Sequence, residues 1–127
     1  MAEEMWYNEN HLWVTVENNH AYIGISYYAQ EELGDILYIE LPEVGDKVVQ
    51  GKSFGEIESS KTVSDLVAPL SGKVVEVNSD VINEPSILNE DPLGDGWLIE
   101  IEGVDQKELK ALFTQEKYEN YIKETAK

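Results

Sequence analysis

The chain has 127 residues, the length of one ordinary domain; its 42% hydrophobic content is too high for a disordered polymer, and no apolar run nears the roughly 18 residues that span a membrane. Twenty-six acids oppose nine lysines, with no arginine at all, for a formal net charge of -17. That charge excludes a phosphate-tracking nucleic-acid surface and points to partners with basic docking faces.

The first predicted elements are strands. Leu12-Trp-Val-Thr-Val16 and Ala21-Tyr-Ile-Gly-Ile25 are β-branched and aromatic runs separated by Glu17-Asn-Asn-His20, the pattern of a hairpin. Ser26 then caps a short helix over Tyr27 to Leu33, which Gly34 closes, and Ile36 to Leu41 reads as the next strand, ended by Pro42 and Gly45. From Lys47 to Val77 short strands alternate with turn residues, a spacing that suits small sheets packed face to face. Within that stretch Gly55 to Glu58 and Val63 to Ala68 form a second hairpin with Lys61 near its apex, the amine in solvent. An approximate repeat flanks it: Pro42-Glu-Val-Gly45 and Pro69-Leu-Ser-Gly72 share P-x-x-G, each followed within two residues by Lys-Val-Val.

Trp97 to Ile101 reads as a strand, after which the period changes. Asp105 and Glu108 make an acidic capping box for a helix carrying Leu109, Leu112 and Phe113, and Thr114 starts another with Tyr118, Tyr121 and Ile122 on one face. These stripes are expected to pack on the sheet. One domain, 1–127, with C-terminal helices from about residue 105, is the expected organisation.

Several chemistries fall away on spacing. Gly45 to Ser53 resembles a phosphate-binding loop but has five residues between its glycines where the motif has four, and a strand follows where a helix is needed. Asn89 to Glu100 partly mimics a calcium loop, with Leu93 and Pro92 against it, and reads as a surface loop. His11 and His20 have no ligand-like spacing and read as turn or surface residues, and no cysteine is present to complete a metal or thiol site. The lack of cysteine suits a reducing compartment, and the opening residues have no export-signal character, so a cytoplasmic location is expected.

Lys61 remains. A catalytic lysine needs burial or a neighbouring cation to give up its proton, whereas Lys61 stands among Glu56, Glu58 and Asp65 with small polar neighbours Ser60 and Thr62. Such an amine is poorly placed to catalyse but well placed to be modified by another enzyme.

The stretches "GISYYAQEELGDILYIELPEVGD", "GEIESSKTVSDLVAPLSGKVVEVN" and "EPSILNEDPLGDGWLIEI" resemble, in order and over nearly the whole chain, the H proteins of the glycine cleavage system. The resemblance implies a mainly β barrel-sandwich hybrid of small antiparallel sheets with a lysine-bearing hairpin, one short internal helix and C-terminal helices. It implies lipoate attached covalently at Lys61, in Glu58-Ser-Ser-Lys61, by a lipoyl-attaching enzyme. The protein would then be a non-catalytic carrier in glycine catabolism and one-carbon metabolism, monomeric, without membrane or nucleic-acid partners. Its swinging arm would take an aminomethyl group from the pyridoxal-phosphate glycine decarboxylase (P protein) to the aminomethyltransferase (T protein) and be reoxidised by dihydrolipoyl dehydrogenase (L protein). Asp65 matches a family acid that contacts the loaded amine; the second family acid lies in a His-Glu-Trp motif, where this chain has His11-Leu12-Trp13. That departure leaves a second implied role, a lipoyl relay or specialised carrier serving another lipoyl-dependent system.

Overall fold

The computed structural model describes residues 4–125. Its strands are β1 (Trp6–Tyr7), β2 (Leu12–Glu17), β3 (His20–Ile25), β4 (Ile36–Glu40), β5 (Lys47–Val48), β6 (Ser53–Ser59), β7 (Val63–Val67), β8 (Gly72–Val77) and β9 (Ile99–Glu102). The helices are α1 (Tyr27–Leu33), α2 (Ser79–Asn83), α3 (Ile87–Glu90), a 3-10 turn over Gln106–Ala111, and α4 (Gln115–Thr125). No helix of the described residues is long and apolar enough to cross a membrane.

Two antiparallel sheets result, one of six strands in the order β1-β2-β3-β9-β8-β5 and one of three in the order β4-β6-β7. The expected mainly β class is therefore what forms. Alternation drives it: Val14, Ala21, Ile23, Val74, Ile99 and Ile101 of the larger sheet point inward and are wholly buried. Ile36, Ile39, Ile57 and Leu66 of the smaller sheet join them in one hydrophobic cluster between the sheets. The first hairpin turns on Asn18, whose φ of 58° lies in the left-handed region that asparagine tolerates.

The weak P-x-x-G repeat has a structural counterpart. Its two copies lie antiparallel against each other, Lys47 opposite Lys73 and Val48 opposite Gly72, with the Gly45 amide donating to the Val74 carbonyl at 2.8 Å. The β6-β7 hairpin is the excursion between them.

A second cluster covers the opposite face of the larger sheet. Tyr7 stacks on Tyr118 with ring centroids 4.2 Å apart, and Trp13 packs beside them, its Nε1 donating to the Pro92 carbonyl at 2.9 Å. Trp13 lies over Gly24, where a Cβ would come within 2.6 Å of the indole, so only glycine fits there. Phe113, Tyr121 and Ile122 line the same cluster, as their spacing predicts. Thr114 caps α4, its Oγ1 accepting from the Lys117 amide at 3.3 Å.

Four local expectations change. The segment after Asp105 is a 3-10 turn and not an α-helix, capped by Asp105 accepting from the Lys107 amide. Glu108 does not complete a capping box, because its carboxylate instead takes the Ser71 amide and hydroxyl at 2.8 and 2.9 Å. Helices α2 and α3, between β8 and β9, join the one internal helix foreseen. His11 is no simple surface residue: it is half-buried, and its Nδ1 lies 2.8 Å from the Tyr118 hydroxyl, whereas His20 sits on the surface beside Glu100.

Candidate functional site: a lysine tip above a cleft

The tip is organised by Ser59. This buried serine pairs its amide with the Thr62 carbonyl at 2.8 Å, and its Oγ accepts from the Lys61 and Thr62 amides at 3.1 and 3.2 Å. A hydroxyl that bonds the backbone two and three residues ahead closes a turn without a glycine, leaving the next side chains free to project. Lys61 is exposed there. Its aliphatic stem lies over Gly34, where a Cβ would sit 3.3 Å from the lysine Cε, and Gly34 itself has φ 76°.

The loop beneath the lysine is clamped in turn. The Ser60 amide donates to the Asp35 carbonyl at 3.0 Å. Asn89 of α3 accepts from the Ile36 amide at 3.0 Å and donates to the Gly34 carbonyl at 2.8 Å and to Gln30 at 3.1 Å. A three-residue tip thus rests on a chain of hydrogen bonds reaching back into α3. Ser59 was visible in sequence only as one of two small residues before the lysine. Nothing local marks Asn89, 28 positions away, as its support.

The predicted acids divide. Glu58 is exposed on β6 opposite Tyr38 and Val63, and Glu56 faces Asp65 across the β6-β7 ladder. None of the three ties down the lysine, since the one close contact between a basic and an acidic side chain among the described residues is His20 with Glu100 at 2.8 Å. Asp65, four residues beyond Lys61, instead borders a cleft of about 250 Å³. Tyr28, Ala29, Glu32 and Leu33 of α1 form one wall, Ser64 to Leu66 of β7 another, and His11 and Leu12 the inner end. Leu12 is 2% exposed and belongs to the core, so the position that would hold a second acid contributes apolar floor.

The imidazole of His11 is held below its ordinary value by burial, opposed in part by the charge of Glu32, and is therefore neutral at pH 7. The Tyr118 hydroxyl bridges His11 to Ser26 Oγ, 2.7 Å away, and burial pushes that phenol up to about 12, against the lowering effect of the Ser26 hydrogen bond. The cleft's inner end is thus a fixed, uncharged polar strut joining the loop before β2 to α1 and α4.

An exposed lysine on a braced hairpin, with a cleft opening a few residues away, is an arrangement that suits a carrier domain. The match to known proteins agrees. Residues 5–125 fit the family model described as glycine cleavage H-protein. A glycine cleavage system H protein from Carboxydothermus hydrogenoformans is 49% identical over 124 residues, 98% of this chain and 95% of that protein. One from a Geobacillus species is 48% identical over 122 residues, 96% of each chain. The crystal structure of a glycine cleavage system H protein from Mycobacterium marinum superposes with a TM-score of 0.83 at 35% identity, covering all of both chains. The chain belongs to the glycine cleavage H-protein family, a family of lipoyl carriers.

Proposed function

We propose that Lys61 carries lipoate in amide linkage and that this chain shuttles the aminomethyl group of glycine from the P protein to the T protein, with reoxidation by the L protein. The group, when attached, supplies a disulfide that opens to accept the aminomethyl unit. The chain's own residues hold it out and take it in. The observation that supports the reading is the position of Lys61: β7 starts two residues after it and reaches Asp65 over roughly 7 Å of strand, and α1 ends under the lysine stem at Gly34. Both walls of the cleft therefore converge on the modified side chain.

The residues present suit a neutral, flexible, sulfur-bearing arm. The floor is apolar, from Leu12, Ile25, Leu33, Ile57 and Leu66, and the chain has no cysteine to exchange with a dithiol. The tip offers a ligase small neighbours and a turn already formed, which cuts the ordering cost of docking. With a net charge of -17, encounters with basic docking faces are fast and salt-sensitive, as serial partners require. The carrier is monomeric and cytoplasmic on this reading, and does no catalysis itself.

The test is reconstitution with P, T and L proteins and a lipoyl-attaching enzyme. Wild-type chain is expected to support glycine-dependent reduction of the L protein's acceptor, and Lys61→Arg to support none. Leu12 is the one feature favouring a second role, as a lipoyl relay for another system. Transfer of lipoate from this chain to other lipoyl domains, with no glycine-dependent turnover, would decide for it.

A further inference from the structure

A groove of about 900 Å³ lies on the outer face of the six-stranded sheet. Neighbouring residues of β2 point opposite ways, Leu12 into the core beside the cleft and Trp13 outward to the groove, and the two hollows share no residue. Trp13, Tyr22, Trp97 and Leu93 give the groove an apolar, aromatic lining, with the Tyr22 and Trp97 rings edge to face at 5.5 Å and Tyr22 and Leu93 exposed. Glu4 and Glu116 are its acids, and no basic side chain lines it among the described residues.

The charges on this face fall in two adjoining cross-strand rows over β2, β3, β9 and β8. The row Glu17, His20, Glu102, Lys73 alternates acid and base. The row that reaches the groove, Thr15, Tyr22, Glu100, Glu76, sets Glu100 opposite Glu76 and contains no base. Like charges directly opposite each other destabilise a sheet, and the one basic contact this row receives is His20 on Glu100. The Tyr22 phenol is raised above its ordinary value by burial and by the charges of Glu100, Glu76 and Glu17, so three carboxylates bear on a ring that walls the groove.

We propose that this groove is a docking site for an arginine side chain on the basic face of a partner protein, one that holds the carrier by the outer face of its larger sheet and leaves Lys61 free. An arginine fits on three counts. Its guanidinium is attracted to the faces of tryptophan and tyrosine, it brings the positive charge that the row of Glu100 and Glu76 lacks, and its planar fork takes a carboxylate bidentately while stacked, which a lysine ammonium cannot do. Tryptophan and tyrosine are also the side chains on which binding energy concentrates at interfaces. A second copy of this chain is a poor occupant, because it has no arginine and its net charge of -17 repels its like. That the partner belongs to the carrier's cycle rests on the reading above; that the groove takes a guanidinium does not.

The experiment has two arms, both with the full chain. In the first, nitrogen-15-labelled protein is titrated at low salt with a blocked diarginine peptide, and with the same peptide carrying citrulline, which keeps the shape without the charge. The indole N–H signals of Trp13 and Trp97 and the amides of Thr15 and Tyr22 are expected to shift with the arginine peptide alone. Tyr22→Thr and Glu76→Gln are each expected to weaken binding about three- to tenfold, and Glu102→Gln, the same change of charge in the balanced row, to leave it unchanged. Tyr22 and Glu76 are exposed, and threonine suits a strand, so both variants keep the fold. In the second arm, affinity for purified P, T and L proteins is measured with Lys61 lipoylated and unmodified. Tyr22→Thr is expected to weaken binding to at least one of them by a similar factor in either state of the lysine. Equal losses from Glu76→Gln and Glu102→Gln, peptide shifts centred on the cleft between α1 and β7, or three partner affinities untouched by Tyr22→Thr would overturn the proposal. A wild-type chain that binds none of the three proteins while the peptide titration succeeds would count against the carrier reading instead.

Discussion

The six-stranded sheet and the lysine tip are held by opposite means. At the centre of the sheet the side chains of Ile23, Val74, Ile99 and Ile101 have no solvent exposure and belong to one apolar cluster. At the tip, Ser59, Ser60, Lys61 and Thr62 bury one small side chain, and order comes from the Ser59 hydroxyl, the Asp35 carbonyl and, one step back, Asn89. Aliphatic burial is non-directional and contributes stability; short hydrogen bonds contribute little net stability but fix direction. Stability and presentation therefore reside in different residues, and variants should separate them.

Lys61→Arg gives the largest effect on one side. Arginine keeps the charge but not the acylable amine, so lipoylation should fall to zero while the unfolding midpoint is unchanged; adduct on another lysine, or residual carrier turnover, would place the function elsewhere. Ile101→Ala is its counterpart in the core and should cost about 2–5 kcal/mol in denaturant unfolding while the folded fraction is lipoylated at the normal rate. Asn89→Ala lies between the two regions. Loss of its bonds to Gly34, Ile36 and Gln30 should cost about 1–3 kcal/mol and slow lipoylation several-fold, and a normal rate would show that the tip does not depend on α3.

The pH responses should be smaller and belong to the strut at the cleft's end. Tyr118 has its folded value raised to about 12 from the ordinary 10, so its neutral form stabilises the fold fully below pH 10, and that contribution is lost as pH rises from 10 to 12. Tyr118→Phe should flatten this alkaline slope. His11 has its folded value lowered from 6.5, so its contribution is present above pH 6.5 and is lost on acidification below it. Stability of His11→Gln measured from pH 7 to pH 5 should fall less steeply than that of the wild type.

What could be read in the chain beforehand follows the same division. Elements with strong local patterns appear where expected: the first hairpin extends only a residue beyond the predicted runs, and α1 has both its Ser26 cap and its Gly34 stop. Lys61 stands at a hairpin apex because the alternation on either side of it is clear. Elements decided by distant contacts were not legible. β1 is two residues long and exists by pairing with β2 and bridging Phe113. α2 and α3 are too short to show a helical period. Glu108 has a sequence neighbour to cap but finds Ser71, 37 positions away, a better partner. The cleft has no local signature at all, since its walls come from three separate segments that only the closed fold brings together.

Intact-mass analysis followed by peptide mapping of the protein from its own cells decides whether Lys61 bears lipoate. The expected result is a lipoyl adduct confined to the Gly55 to Leu66 peptide and located on Lys61. An unmodified Lys61, in cells whose other lipoyl proteins are fully modified, would contradict it.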